Sequence, residues 1–423
     1  MRALQEQLAY LESSSAFYAE RLRGEREGVR GPADLPRLPF TTKEELREGQ
    51  RREPPFGPHL CAPPERLVRM HVTSGTTGDP VAIGFTRTDH EANSVVGGEA
   101  FRIAGVREDD TIAHCLNYAL YAGGIADHMA LEASGATVVP VGTGQSRRLL
   151  ELIPRLGITA MFGTLSFPAY LGARARDAGL DPATLGLRHI VTAGEPGAGL
   201  GAVRGEIEAA WGATVADTFG MSDVWSTMGG ACGEGEGLHL TVEGHAVLEL
   251  VDPDSGEPLE LEDGASGELV WTHLRREASP LLRYRSGDLG RVWTSPCACG
   301  RTTPRIRIEG RRDDMLRVQA VNVYPQAIGA ILSGHYGVGL WCVVAEGDPV
   351  APPLRLYVEA MPDADLERIS DELHDTLRAR FELTRLEPGS LPRAEHKTRI
   401  VHRTARGDAL PRVVEALRRE TVT

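Results

Sequence analysis

Lysine is almost missing from this chain. Of 46 basic residues among 423, only Lys43 and Lys397 are lysine; the other 44 are arginine. Basic residues are outnumbered by 59 acidic ones, for a net charge of -13. A field of that sign disfavours broad contact with nucleic acid or an anionic membrane, while leaving room for a local anion pocket. Six cysteines over this length argue against a disulfide framework. No apolar run is long enough to span a bilayer, and Met1–Glu20 lacks the apolar core of a signal peptide. A soluble, cytoplasmic protein with no nucleic-acid and no membrane partner is therefore expected. Internal repeats and low-complexity tracts are absent too. What remains is an ordinary globular balance of 41% apolar and 25% charged residues, on a chain long enough for two domains or three.

The scarcity of lysine gives the survivors meaning. A retained lysine supplies a compact, rotatable point charge that the planar arginine fork does not. Lys43 reads as the opening of a helix, Lys43-Glu44-Glu45-Leu46-Arg47, where either cation would serve. Lys397 stands alone near the C-terminal end.

Leu4, Leu8 and Leu11 repeat at helical spacing, and Ser13-Ser14-Ser15 is expected to end one helix and start the next. The middle alternates apolar strand-like runs with helix-like segments. The runs are Ala136–Val141, Ile158–Phe162, His189–Thr192 and Thr214–Phe219; the helices are Ser146–Leu156, Tyr170–Ala178 and Val203–Trp211. This order predicts parallel strands with helical crossovers, an α/β fold whose ligands sit at the carboxyl ends of the strands. Glycine turns such as Gly163-Thr164, Gly194-Glu195-Pro196 and Gly220 fall at those ends. From Leu238 to Trp293 short strands and turns predict a β-rich, antiparallel part of the same domain. After Gly310 a small α+β unit is expected, with strands at Leu340–Val344 and Leu354–Val358, an amphipathic helix over Asp365–Phe381 and a terminal helix over Arg412–Arg419.

Two constellations carry chemistry. Thr73-Ser74-Gly75-Thr76-Thr77-Gly78-Asp79-Pro80 combines hydroxyls with glycines that let backbone N–H groups curl around an anion. It lacks the Gly-Lys-Ser/Thr ending of a Walker loop, and on composition alone it is equally a polar turn. Cys232, His239, Cys297 and Cys299 could close a tetrahedral zinc site. Their spacing is not that of a standard finger, so reduced, unligated thiols are the other reading.

The hydroxyl-glycine turn resembles the phosphate loop of the adenylate-forming superfamily, which contains acyl-CoA ligases, luciferases and peptide-synthetase adenylation domains. The likeness continues in order along the chain. Gly194-Glu195-Pro196 resembles its nucleotide-binding turn and Asp217-Thr218-Phe219-Gly220-Met221-Ser222-Asp223 its aromatic-Gly-x-Ser-Glu segment. Tyr284-Arg285-Ser286-Gly287-Asp288-Leu289 resembles its ribose motif and Gly310-Arg311-Arg312-Asp313-Asp314 its interdomain hinge. Leu38–Lys43, Gly237-Leu238-His239, Cys297–Thr302, Asn322–Pro325 and Leu391–Lys397 are most similar to the phenylacetate–CoA ligase branch.

The resemblance implies a large ATP- and acid-binding domain over residues 1–310 and a small mobile one over 311–423, hinged at Asp313. It implies two half-reactions: a small aromatic carboxylic acid attacks ATP to give an acyl-adenylate, and the thiol of coenzyme A then displaces AMP. Ser74, Gly75, Thr76, Thr77 and Gly78 would cradle phosphate, and Gly194, Glu195, Pro196, Asp217 and Gly220 would line the nucleotide. Phe219 would stack on adenine, while Asp288 and Arg311 would bind the ribose. Asp223, where the family has glutamate, would help hold Mg²⁺. Lys397 would bridge carboxylate and phosphate, a role its survival in an arginine-biased chain supports. Tyr118, Tyr121, Gly123, Gly124, Phe167 and Ala193 would form the acid pocket, with His128 a contact or a core histidine. Some relatives bind zinc through similarly placed residues, which favours structural Zn²⁺ here. A homodimer is a further expectation.

The pattern also departs from the family. Asp79 replaces a lysine, Ala320 stands where a glycine lets the pantetheine arm pass, and Gly329 replaces a glutamate. These changes keep two alternatives open: transfer of the acyl group to an amine or a carrier-protein thiol, and a catalytically silent nucleotide-binding regulator.

Overall fold

The computed structural model describes residues 2–73, 79–195, 201–318, 321–347, 349–391 and 400–404. The predicted helix over 412–419 lies outside them. Helix α1 (Arg2–Ser14) buries Leu4, Leu8 and Leu11 against Leu282 and Tyr18. Ser15 breaks the helix and caps α2 (Ala16–Leu22), its Oγ accepting the Tyr18 N–H at 3.4 Å. Helix α3 (Lys43–Arg52) starts at a capping box: the Thr42 hydroxyl accepts the Glu45 N–H at 3.3 Å and the Glu45 carboxylate accepts the Thr42 N–H at 2.8 Å. Thr41, just before it, pairs with the chain at Arg283 and Arg285 through bonds of 3.0 and 2.9 Å. The start of α3 is thereby fixed against the large sheet.

Strands β1 (Leu67–Val72) and β2 (Ala82–Thr86) form an antiparallel ribbon around the hydroxyl-glycine turn. Helix α4 (Arg87–Ile103) leads to β3 (Thr111–His114), α5 (Ile125–Ser134), β4 (Thr137–Pro140), α6 (Ser146–Leu156), β5 (Ala160–Gly163), α7 (Ser166–Asp177), β6 (His189–Thr192), α8 (Gly201–Trp211) and β7 (Thr214–Phe219). The predicted alternation thus folds as parallel strands with helical crossovers. The chain then turns antiparallel through β8 (Gly229–Gly230), β9 (Leu238–Leu240), β10 (Ala246–Val251), β11 (Pro258–Leu259), β12 (Ser266–His273), β13 (Tyr284–Trp293) and β14 (Arg305–Arg311). Both halves share one 12-stranded sheet, ordered β11-β10-β12-β13-β14-β9-β8-β7-β6-β5-β3-β4.

A buried ionic knot joins α4 to the segment after β12. Arg276 is fully buried, stacks on Phe85 at 3.9 Å and faces Asp89 at 3.8 Å. Asp89 also accepts the backbone N–H groups of Glu277 and Ala278 at 2.7 and 2.9 Å. These bonds offset the cost of burying the carboxylate.

Beyond β14 the residues form a core of their own. It contains β15 (Leu316–Val318), β16 (Val321–Val323), α9 (Pro325–Leu332), β17 (Val338–Glu346), β18 (Leu354–Ala360), α10 (Leu366–Leu377), β19 (Phe381–Leu386) and β20 (Val401–Thr404). The helix expected to reach Phe381 stops at Leu377. Arg378 adopts a left-handed conformation, φ 55°, and Phe381 opens a strand paired parallel with Leu354. Sheet pairing overrides helical periodicity at that end.

Candidate active site

Parallel strands bring their carboxyl ends to one edge, and the predicted site residues follow from those ends. After β6, Gly194 adopts φ 79°, a conformation that favours glycine. The turn places Glu195 against α7, where its two oxygens accept the Ser166 N–H at 2.8 Å and the Ser166 hydroxyl at 3.1 Å. Pro196 lies outside the described residues. At the end of β7, Asp217 accepts the Thr218 N–H at 3.0 Å and the Thr192 hydroxyl at 3.3 Å. Burial pushes its carboxyl up to about 7, against those bonds. Gly220 makes a close approach: a side-chain carbon there would lie 1.8 Å from the Ser226 carbonyl oxygen. Phe219 is partly buried against the core containing Trp225 and Tyr284.

Asp223 follows this turn and is buried. Its Oδ2 pairs with Lys43 Nζ at 3.3 Å. Its Oδ1 is buried with no hydrogen-bond partner among the described residues. The helix-opening reading of Lys43 missed this pair, because the partners are 180 positions apart in the chain. The scarcity of lysine was the available signal. Residues Ser74, Gly75, Thr76, Thr77 and Gly78 lie outside the described residues, but both flanks are fixed. Thr73 bonds Val81 through its backbone N–H and its hydroxyl, at 2.9 and 3.0 Å. Asp79 is exposed and paired with Arg51 at 3.3 Å, and its carbonyl accepts Arg47 Nε at 2.9 Å. The carboxylate that raised doubt about phosphate binding is therefore matched by a cation.

Across the sheet, Asp288 on β13 and Arg311 on β14 stand opposite in register, Arg311 Nη1 donating to Asp288 Oδ1 at 2.7 Å. Arg311 also reaches Asp313 at 3.4 Å. Tyr284, at the start of β13, is buried, and its hydroxyl has no hydrogen-bond partner among the described residues. Burial raises its pKa well above the phenol range, and Asp223 and Asp288 add to this while Arg311 and Arg47 oppose it. The ribose-motif and metal-motif residues therefore share one electrostatic neighbourhood. Lys397 lies outside the described residues, as do Gln319 and Ala320.

On the acid side, the loop after β3 packs Gly124 so tightly on Asn117 that a side-chain carbon would sit 2.5 Å from the Asn117 carbonyl oxygen. The Tyr118 hydroxyl and His128 Nδ1 are 2.9 Å apart, and His128 Nε2 lies 3.3 Å from Glu132. His128 is thus held by its neighbours. Tyr118 packs on buried His114 at 4.7 Å. Burial, helped by His128, depresses His114 to about 3. Phe167 lies against Gly163 and beside Tyr170 at 6.3 Å. Ala193 and Tyr121 are partly exposed near these turns. Among the described residues, no ring contact links Tyr118, Tyr121 and Phe167 to one another.

The cysteine–histidine constellation does assemble. Ligand atoms of Cys232, His239, Cys297 and Cys299 all lie within 4.8 Å of one another. Cys232 and Cys297 sulfurs are 3.7 Å apart, and Cys299 Sγ is 3.4 Å from His239 Nε2. A tetrahedral zinc site demands about 3.8 Å between sulfurs and about 3.6 Å between sulfur and nitrogen. His239 Nδ1 meets the Thr303 hydroxyl at 3.1 Å, leaving Nε2 for the cluster. Burial pushes the Cys299 thiol up, but hydrogen bonds from the Arg301 backbone and guanidinium outweigh it and hold the group at about 7. Cys61, Cys115 and Cys342 are buried thiols remote from this cluster.

Comparison with known proteins agrees with this geometry. A family model described as AMP-binding enzyme matches residues 3–273. Phenylacetate-coenzyme A ligase of Thermus thermophilus is 34% identical over 93% of this chain and 94% of its own. The same-named enzyme of Escherichia coli K12 is 36% identical over 70% of this chain and 66% of its own. Among solved structures, 2-hydroxyisobutyryl-CoA ligase in the post-adenylation state with 2-HIB-AMP superposes with a TM-score of 0.87 at 28% identity, covering 99% of this chain and 90% of that one. Its thioesterification state, with CoA, gives 0.70. The fold is that of the adenylate-forming enzymes, and the chain is an AMP-forming acid–CoA ligase. Within that class, the chain belongs to the AMP-binding enzyme family, in its phenylacetate–CoA ligase branch. Enzymes of this kind activate an acid with ATP to an acyl-adenylate and then form a CoA thioester. No described helix is long and apolar enough to cross a membrane.

Asp217 gives a pH signature. Its folded pKa is raised to about 7 from 3.8. Between those values the unfolded chain releases the proton that the native state keeps, so stability falls as pH rises. Asp217→Asn removes that penalty. In urea unfolding between about pH 4 and 7, the variant should gain on the parent as pH rises, by at most about 1.4 kcal/mol per unit. A pH-independent difference would refute the assignment.

Proposed function

We propose that this ligase activates a small aromatic carboxylic acid in the cytoplasm, using coenzyme A as acceptor. The observation that carries the reading is the convergence of the Lys43–Asp223 and Asp288–Arg311 pairs around Tyr284. In the first step a carboxylate oxygen bonds to the α-phosphorus of ATP, and the bond to pyrophosphate breaks. In the second the CoA thiolate bonds to the acyl carbon, and the bond to AMP breaks.

Asp288 accepts the ribose hydroxyls, with Arg311 holding its carboxylate in place. The partnerless Oδ1 of Asp223 fits a place on Mg²⁺, which would neutralise phosphate charge when bound. Lys43 holds the other oxygen and fixes the carboxylate's orientation. Lys397 supplies the cation between acid and α-phosphate, carried in and out by rotation of residues 311–423 about Asp313. The aromatic preference is supported by Tyr118, Tyr121 and Phe167 near the acid-side turns, and by the phenylacetate named in the relatives.

Pyrophosphate release with ATP and a panel of arylacetates, benzoates and 2-hydroxyisobutyrate tests this. An aryl acid should exceed the aliphatic one by about tenfold or more, a difference that contacts of the bound ring readily supply. CoA should then be acylated in preference to amines or a carrier thiol. Lys397→Ala should lose pyrophosphate release yet still convert supplied acyl-adenylate to thioester. Equal loss of both steps, or preference for the aliphatic acid, would contradict the reading.

The same reading gives Cys232, His239, Cys297 and Cys299 a structural Zn²⁺. All four positions are filled by protein, so none is open for catalysis. Elemental analysis should find one zinc per chain, and chelation should lower Tm. A metal-free preparation with unchanged Tm would refute it.

A further inference from the structure

Asp127 is a fully buried carboxylate that the reaction described so far does not use. It lies in the first turn of α5, directly after the Gly123-Gly124 turn. Its Oδ1 accepts the Thr227 hydroxyl at 2.9 Å. The Ser226 hydroxyl nearby receives Asn93 Nδ2 at 2.9 Å. Asn93 Oδ1 in turn accepts the Ser226 N–H at 3.0 Å. Asn93, Asp127 and Thr227 are no more than 2% exposed. No cation pairs with Asp127 among the described residues. A buried carboxylate held only by hydroxyl donors is expensive, and such groups concentrate at functional sites.

Its place is specific. Ser226 runs directly behind Gly220, the turn expected to flank the adenylate. On the other side, Oδ2 lies 3.5 Å from where a side-chain carbon on Gly123 would stand, with Leu116 Cδ1 the next atom at 3.7 Å. Gly123 is partly exposed and is not among the left-handed glycines. Its missing side chain therefore serves space rather than backbone conformation. That space leads to Oδ2. A carboxylate has about four acceptor positions, and the Thr227 hydroxyl uses one of them, on Oδ1.

We propose that Asp127 reads a hydrogen-bond donor, a hydroxyl or amino group, on the ring of the acid, so that the preferred substrates are hydroxy- or amino-substituted aryl acids rather than unsubstituted ones. This rests on the acid pocket of the preceding reading. Asn93, Ser226 and Thr227 act as positioning residues that aim the carboxylate. A site built to receive a donor discriminates strongly against an analogue lacking it, because the buried acceptor is then left unpaired.

The test uses ortho, meta and para hydroxy and amino acids, their O- and N-methylated counterparts and the unsubstituted parents. Binding is read by calorimetry without ATP, and turnover by pyrophosphate release. One donor-bearing acid should bind about tenfold or more tighter than both its methylated and its unsubstituted counterparts. Asp127→Asn keeps an oxygen for Thr227 and can turn an amide N–H2 toward Gly123, so the preference should invert toward the methyl ether. Gly123→Ala, which fits without collision, should cover Oδ2 and cut the ratio of donor-bearing to unsubstituted acid binding severalfold. Donor preference in binding without any pyrophosphate release would leave this inference standing and defeat the adenylation reading alone. Equal binding of donor, methylated and parent acids, no acid binding at all, or an Asp127→Asn effect equal for all acids would overturn the inference.

Discussion

Asp288 and Arg311 face each other across the last two strands of the large sheet, and the rest of the site is arranged around that contact. Strand β14 runs from Arg311 straight into Arg312-Asp313-Asp314 and then into the separate core of the small unit. The pair therefore ties Asp288, the residue proposed to meet the ribose, to the first residues of the segment that leads into the small unit. Both partners are held: Asp288 is 4% exposed, and Arg311 also donates to the Ser286 carbonyl at 3.3 Å. In low-dielectric surroundings such a pair is costly to break on one side only.

Charge balance explains the neighbouring residues. ATP brings several negative charges into a chain that is itself acidic. Helix α3, whose start is pinned by Thr41 and the Thr42–Glu45 box, supplies cations to the carboxylates around the site. Lys43 goes to Asp223, while Arg47 and Arg51 go to Asp79. The negative charge that Asp79 brings is thereby paired with Arg51. The structure superposes better on 2-hydroxyisobutyryl-CoA ligase in its post-adenylation state, at 0.87, than in its thioesterification state, at 0.70.

Much of this could be read from residues alone. The strands His189–Thr192 and Thr214–Phe219 and the helix Ser146–Leu156 fall where periodicity put them, because local pattern and sheet burial agree there. The four zinc-type ligands could be named, and they do assemble. What could not be read depends on contacts between distant parts of the chain. The Lys43–Asp223 pair joins segments that only the fold brings together. The early end of α10 depends on β19 pairing with β18, and Asp127 looks like any helix-start aspartate until its burial is seen. Joining the parallel and antiparallel halves into one sheet likewise requires β8, two glycines with no strand signal of their own.

The central claim is that the nucleotide is held through Asp288 at the edge of the hinge. Calorimetric titration of AMP and ATP into the intact protein and into Asp288→Ala tests it most directly. Hydrogen bonds to a charged group are worth about 1.5–3 kcal/mol, so the account predicts a loss of roughly ten- to a hundredfold in affinity for both nucleotides. Unchanged affinity in a variant that remains folded would contradict it.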